Sequence, residues 1–283
     1  MSHPLIEIES LSYVYESQGA DPVRALDDVS AIIDDGSYLA IVGPNGSGKS
    51  TLAKCLNGLL RPTSGQVRVM GLDTRDPAQQ LAIRSKVAVA FQNPDNQFVA
   101  TTVEEEVAFG PENLGVPHPE LERRVRSALV DTDLADRGSD NPRLLSAGEK
   151  SRLAVAGLLA MRPRCLVLDE STAMLDPVSR ARMRELLGRL RHDGLTIVLI
   201  THYMDEAADA ERILVLDRGR LVLQGRPDEV FSQEEHLRAV GLTQPPARAI
   251  SSGLIRRGLV LEPALTADGL VKALLVRQEA LHG

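Results

Sequence analysis

Gly43-Pro44-Asn45-Gly46-Ser47-Gly48-Lys49-Ser50-Thr51 fits the pattern G-x-x-x-x-G-K-[ST] at Gly43, Gly48, Lys49 and Ser50. The apolar run Tyr38 to Val42 precedes it and the helically spaced Leu52 to Leu60 follows, so the setting is strand, loop, helix. Each part has a physical task. Glycines let successive backbone N–H groups turn inward around an anion, and the helix aims the positive end of its dipole at the same point. Lys49 is long enough to reach outer phosphates, and the Ser50 hydroxyl is placed to ligate magnesium. A chance match is expected in about one chain of this length in a hundred, before the flanks are required. The loop is therefore taken as a phosphate cradle.

Composition bounds the rest. At 283 residues the chain has room for one large α/β domain with an insertion or a small appended unit. A net charge of −7 and a pI near 5.5 argue against a dedicated nucleic-acid surface, which needs a basic face. Cys55 and Cys165 sit in apolar surroundings without metal-type spacing and read as small core residues. No apolar window approaches a membrane span, and the first residues lack a basic segment followed by an apolar one, so a cytosolic protein is expected, with any membrane role supplied by a partner.

Upstream of the loop, Leu5 to Tyr15 alternates as a strand with Leu11, Tyr13 and Tyr15 on one face. Either tyrosine, if exposed, can stack on a base, and periodicity does not choose between them. Ser17 to Asp21 reads as a loop, and Val29 to Ile33 resumes strand character. Downstream, Gln66 to Met70 and Val87 to Phe91 read as strands. The second ends at Gln92 in the polar segment Asn93 to Gln97, the kind of loop where α/β folds place ligand contacts, although a solvated turn has the same composition.

Thr101 to Ala160 changes to helical texture, which suggests an inserted helical unit. Thr102 can cap a helix that opens on Glu104, Glu105 and Glu106, and Pro119 to Val130 has amphipathic spacing. Ser146 and Glu149 stand three apart as a capping box; spacing alone favours that structural role, while a capped helix start is also an anion site.

Leu166-Val167-Leu168 ends in Asp169-Glu170. Neighbouring side chains on a strand face opposite ways, so the two acids are expected to divide two tasks. Asp169 is assigned to magnesium, through a water, and Glu170 to the attacking water as general base. Thr196 to Ile200 is a further buried strand ending at Thr201-His202. A histidine at a strand end is usually structural, but at the same sheet edge as Gln92 and Glu170 it is a candidate contact for a terminal phosphate. Ile213 to Leu223 reads as a hairpin turning at Asp217-Arg218-Gly219. Pro227 to Val240 reads as helix, and Gly253 to Leu281 as short apolar runs separated by turns.

In this order the motifs resemble the ATP-binding subunits of ABC transporters over Leu5 to Gly225. Gly43 to Thr51 looks like Walker A, Gln92 like the Q-loop glutamine, Leu145 to Glu149 like the family signature, and Leu166 to Asp169 like Walker B with Glu170 as its catalytic acid. Asp176 closes a D-loop, His202 matches the switch histidine, and Tyr15 takes the place of the adenine-stacking aromatic, which decides against Tyr13. The finer resemblance is to the energy-coupling factor branch, with its cobalt and nickel importers. It rests on Phe91 to Phe98, on Thr102-Val103-Glu104, on Val107 to Gly110 and on the tail after Gly225.

The resemblance implies a P-loop NTPase of ABC type in the α/β class, with a mixed sheet, N-terminal antiparallel strands and a helical subdomain at about 101–160. It places the ATPase domain at 1–225 and a small extension, a possible dimer contact, at 226–283. It implies Lys49, Glu170 and His202 as catalytic groups, and Tyr15, Gly43, Pro44, Asn45, Gly46, Ser47, Gly48, Lys49, Ser50, Thr51, Gln92, Ser146 and Gly148 as ATP contacts. Ser50, Gln92 and Asp169 would serve Mg2+. Partners would be a second ATPase subunit, a transmembrane coupling protein and a substrate-binding membrane subunit, with this chain peripheral on the cytoplasmic face. Another ABC transporter type, or a soluble ABC ATPase outside transport, is the alternative. One departure stands out: Ala147 and Glu149 replace a glycine and a glutamine of the usual signature, adding a methyl and a negative charge where a phosphate would approach.

Overall fold

The computed structural model describes residues 4–17, 20–91 and 98–282. Two sheets carry the chain. A four-stranded antiparallel sheet has the order β2-β1-β4-β5, with β1 at Pro4–Ser17, β2 at Ala20–Asp34, β4 at Ser64–Val69 and β5 at Leu72–Asp73. A six-stranded sheet has the order β10-β9-β3-β8-β7-β6. Its strands are β3 at Tyr38–Val42, β6 at Val87–Ala90, β7 at Cys165–Asp169, β8 at Thr196–Ile200, β9 at Arg212–Asp217 and β10 at Arg220–Gly225. All its pairings are parallel except β9 with β10, so the sheet is mixed.

The parallel strands read as unbroken apolar runs because both faces are covered. Along β3, Leu39 and Ile41 join one core with β1, β2, β4 and helix α1 at Lys49–Leu56, which lies between the two sheets. Tyr38, Ala40 and Val42 face a second core, built with α6 at Pro177–His192, α7 at Met204–Ala207, α8 at Pro227–Ser232 and α9 at Glu234–Ala239. At roughly 1.5 to 3 kcal/mol per buried large aliphatic side chain, this two-faced burial fixes the sheet as a platform. Helix α2 spans Gln80–Lys86 and buries Ile83 in the first core.

A third core holds no strand residue: α3 at Val103–Asn113, α4 at His118–Asp131 and α5 at Ala147–Ala160 pack around Val107, Leu129 and Leu153, with Leu134 and Leu145 from the connecting segments. Thr102 and Ser146 each close a capping box, with Glu105 and Glu149 respectively. The hairpin turns at Arg218 and Gly219, both with positive φ, which matches the right-handed twist of β9 and β10.

Two expectations are corrected. Strand reaches further into Ser17 to Asp21 than expected: β1 runs to Ser17 and β2 begins at Ala20, nine residues before Val29, while residues 18 and 19 lie outside the described residues. Gly253 to Leu281 is not a set of short runs and turns; it falls within α10 at Pro246–Arg256 and α11 at Ala267–His282 and the segment joining them. Gly253 and Gly269 weaken these helices without ending them. Among the described residues, no helix is long and apolar enough to cross a membrane.

Candidate functional site

Parallel strands with their carboxyl ends together define where a ligand is met. The four adjacent strands β3, β8, β7 and β6 end at Val42, Ile200, Asp169 and Ala90, so Gly43, Thr201-His202 and Glu170 emerge along one edge. Strands lie about 4.8 Å apart, so β3 and β7 are separated by roughly 10 Å. The first turn of α1 bridges that gap: the Ser50 hydroxyl donates to Asp169 Oδ1 at 3.0 Å.

A cavity of about 730 Å³ opens above this edge. Asn45, Gly46, Ser47, Gly48, Lys49, Ser50 and Thr51 form its floor, and Tyr15, Glu170 and His202 its walls. Gly43 and Pro44 contribute carbonyls, each accepting from Lys49 Nζ at 2.9 Å. Gly43 approaches β9 so closely that a Cβ there would stand 2.2 Å from the Leu216 carbonyl oxygen. Ser47 Oγ is buried without a hydrogen-bond partner.

Burial lowers the pKa of Lys49, against the upward pull of Glu170 and Asp169; its Nζ is 3.9 Å from Glu170 Oε1. Burial raises the carboxyl of Asp169, opposed mainly by the Ser50 hydrogen bond. At both groups burial outweighs the neighbouring opposite charge, an arrangement that an anion with a divalent metal would complete.

Glu170 corrects the expectation drawn from strand alternation. β7 stops at Asp169, and Glu170 takes a left-handed backbone with φ 52° while its N–H donates to the Ile200 carbonyl at 3.0 Å. Alternation no longer applies. Both acids serve the same cavity edge, Asp169 through Ser50 and Glu170 through Lys49 and a close contact with His202 Nε2. An αL backbone at a non-glycine residue costs about 1 to 2 kcal/mol, and such outliers gather at functional positions.

The tyrosines separate cleanly. Tyr13 packs against the core between the sheets, whereas Tyr15 is 37% exposed and lines the cavity, its hydroxyl 3.3 Å from Thr51 Oγ1. The two rings meet edge to face at 4.8 Å, so Tyr13 braces Tyr15. Ser146 and Gly148 are not brought to this cavity; they sit at the start of α5, where a Cβ on Gly148 would stand 2.4 Å from Ser179 Oγ of α6. Glu149 turns back onto its own helix start. Its carboxylate accepts from Ser146 N at 2.9 Å and Ser146 Oγ at 2.7 Å and pairs with Arg137 at 2.8 Å, and these bonds hold it at about 2. The charge expected to repel a phosphate is thus engaged locally. Gln92 lies outside the described residues.

Val23, Arg24, Ala25 and Ala173 also line the cavity and were not singled out from the sequence. The first three lie on the early part of β2, in the stretch between Asp21 and Val29 where the sequence suggested no strand. Taken together, a glycine cradle, a buried lysine, a hydroxyl–carboxylate pair and an acid–histidine pair define a phosphate-loop nucleoside triphosphatase.

Comparison with known proteins narrows this class. The family model for ABC transporters matches residues 26–173. The energy-coupling factor transporter ATP-binding protein EcfA1 of Symbiobacterium thermophilum is 51% identical over 97% of this chain and 98% of its own length. EcfA1 of Clostridium perfringens is 45% identical over 97% and 99%. Among solved structures, CbiO1 of Clostridium perfringens, part of the ABC transporter complex cbiONQ, superposes with a TM-score of 0.75 at 34% identity, covering 90% of this chain and 99% of that one. The ATP-binding cassette MJ0796, in a dimeric post-hydrolysis state bound to ADP and Pi, gives 0.71 at 28% identity over 78% and 98%. The chain belongs to the ABC transporter family, among the ATP-binding, ATP-hydrolysing subunits of energy-coupling factor type.

Proposed function

We propose that this ATPase powers a membrane importer of a vitamin or a transition-metal ion, acting peripherally at the cytoplasmic face. Its companions would be a second ATPase subunit, a transmembrane coupling protein and a substrate-binding membrane subunit. The observation that carries the reading is the convergence of Lys49, Ser50, Glu170 and His202 on one cavity, with Asp169 bonded to Ser50 beneath it, in a chain related to energy-coupling factor ATPases along nearly its whole length.

The residues take distinct roles. Lys49 and the amides of the loop hold the outer phosphates, and Tyr15 stacks on the base. Ser50 and Asp169 are hard oxygen donors already 3.0 Å apart, a donor set that suits Mg2+, with Gln92 as the third expected contact. When bound, the metal would neutralise charge developing on the transferred phosphoryl group. Glu170 takes the proton of the attacking water, and His202, in contact with Glu170, orients that carboxylate and faces the terminal phosphate.

Ser146 and Gly148 stand apart from the cavity of their own chain, which supports their serving a nucleotide held by a second ATPase subunit. A cleft needing both subunits gives ATP a higher affinity for the closed pair, and that difference is what can drive a conformational change. The altered signature at Ala147 and Glu149 supports a different ATPase as partner and two unequal sites. For the coupling protein, an apolar groove of about 340 Å³ between α2, α3 and α5 offers Leu81, Phe109 and Met161, with Leu81 67% and Phe109 49% exposed.

Two outcomes follow. Tyr15→Ala is expected to weaken ATP binding by roughly 1 to 3 kcal/mol, about 5- to 150-fold in Kd, while Tyr15→Phe keeps the ring and most of the affinity. Equilibrium titration with ATP checks this, and an unchanged Kd for Tyr15→Ala would remove the stacking role. The importer reading is tested by purifying the chain with its membrane companions and assaying ATP-driven uptake in proteoliposomes. One copy of this chain, one different ATPase and ATP-dependent uptake are expected. Two copies of this chain and no second ATPase would remove the unequal pair, and absence of any membrane subunit would return the choice to a soluble ABC ATPase.

A further inference from the structure

Behind the catalytic edge lies a buried polar cluster to which the motifs assign nothing. Glu206, on α7, is 0% exposed. Its Oε2 accepts from Thr172 Oγ1 at 2.9 Å and from Thr201 Oγ1 at 2.5 Å, and both threonines are themselves 1% exposed. Thr172 lies two residues beyond Glu170, and Thr201 immediately precedes His202. One carboxylate oxygen therefore ties together the two segments whose side chains meet at the phosphate cavity.

The rest of the cluster braces the same two segments. Thr201 Oγ1 also accepts from Tyr203 N at 3.0 Å, and Tyr203 Oη donates to the Ala173 carbonyl at 3.4 Å. Arg180 of α6 stacks 3.5 Å above the Tyr203 ring, and its Nη2 donates to the Leu175 carbonyl at 3.2 Å. Arg180 Nε stands 3.8 Å from Glu206 Oε1, too far for a hydrogen bond, and both of those atoms are buried without one. Burying a carboxylate is expensive unless it is paired and hydrogen-bonded. An aliphatic residue in place of Glu206 alone would leave the buried Thr172 and Thr201 hydroxyls without their acceptor, so the acid and the two threonines stand or fall as one unit.

We infer that Glu206 is a positioning residue for ATP hydrolysis: it fixes the spacing between the segment carrying Glu170 and the segment carrying His202, so that base and histidine meet in reactive register. The inference rests on the roles given above to Glu170 and His202. Neither Glu206 nor the threonines touches the nucleotide cavity. Their effect is on turnover rather than on binding, because the phosphate cradle of residues 43–51 and Tyr15 lies on other elements. A displacement of about 1 Å at reacting groups can cost on the order of 100-fold in rate.

The test uses the full-length chain and three variants, Thr172→Val, Thr201→Val and the double variant, with Glu170→Gln alongside. Each tether variant is close to isosteric and removes one of the two hydroxyls that Glu206 Oε2 accepts from. Thr172→Val is expected to lower kcat by about 10- to 100-fold, with KM and Kd for ATP within about twofold and the melting temperature near the parent. Thr201→Val should show the same pattern, and the double variant should fall no further than the worse single one, because both cut the same tether. Should Thr201→Val fail to fold, Thr172→Val carries the comparison alone. Parental kcat in the tether variants, with Glu170→Gln inactive, would overturn the inference. So would a kcat loss matched by loss of ATP affinity or of melting temperature, or independent effects that multiply in the double variant. Parental turnover in Glu170→Gln would instead sink the site assignment, and the positioning role with it.

Discussion

Glu170→Gln is expected to hold ATP while hydrolysis falls by about 10²- to 10⁴-fold, the scale of a lost general base. The amide has nearly the shape of the carboxylate, so the left-handed turn at φ 52° and the bond from Glu170 N–H to Ile200 are retained. What is lost is the ability to take a proton from water. Binding should survive, because the groups around the phosphates, Lys49 and the amides of residues 43–51, belong to other elements. Removing a negative charge 3.9 Å from Lys49 also frees that ammonium to serve the nucleotide more fully, so affinity is expected to stay level or rise. Phosphate release and equilibrium ATP binding, measured on the same preparation, check both halves. Under the proposed pairing with a second ATPase, the variant should also stay closed on ATP, because the ligand that favours closure is no longer consumed. Turnover at the parental rate would refute the base assignment; loss of binding would show that Glu170 supports the cradle instead.

The sequence made the centre of this site legible because its determinants are local. A loop that must expose consecutive amides needs glycines in order, and Gly43 to Thr51 shows them without reference to the rest of the chain. The parallel strands were equally plain, since Leu166 to Leu168 and Ile197 to Ile200 are buried on both faces and so are apolar throughout. β2 was obscured for the opposite reason. Asp21, Pro22, Asp27 and Asp28 are poor strand formers, and the pairing with β1 shifts register several times, with Asp28 at positive φ. Long-range pairing overrides those local preferences, and with β2 went Val23, Arg24 and Ala25 of the cavity wall.

Glu170 shows a different limit. Its place in the sequence marked it, but the strand stops at Asp169, one residue short of Glu170, and only the backbone angle reveals that Asp169 and Glu170 serve one edge. Glu206 was invisible for a third reason. Its partners Thr172 and Thr201 are linked to it by folding, and an acid in Met204-Asp205-Glu206-Ala207 looks like any solvated helical residue. Charge in a sequence says nothing of burial, and here burial is what gives the residue its interest.

Gly48→Ala should damage both stability and nucleotide binding, and more than the same change at Gly46. Gly48 caps α1 with φ 102° and ψ 1°, a conformation that strains an alanine by about 1 to 3 kcal/mol. The added Cβ would also stand 2.4 Å from the Ala25 carbonyl oxygen and 2.9 Å from Leu26 Cδ2, so backbone must move. That movement has nowhere harmless to go, because the Gly48 carbonyl accepts from Leu52 N–H at 2.9 Å to start the helix and Lys49 follows directly. Gly46 has φ 76° but nothing within 4 Å of its Cβ position, so alanine there meets the left-handed penalty of about 1 to 2 kcal/mol alone. Losing even one charge-assisted bond to a phosphate is worth about 1.5 to 3 kcal/mol, roughly 10- to 150-fold in affinity. Melting curves should therefore rank the parent above Gly46→Ala and Gly46→Ala above Gly48→Ala, and ATP titration should give the same order. Equal effects at the two positions would mean that the approach of β2 to the loop does not constrain it, and the account of why this loop holds its amides inward would have to be rebuilt.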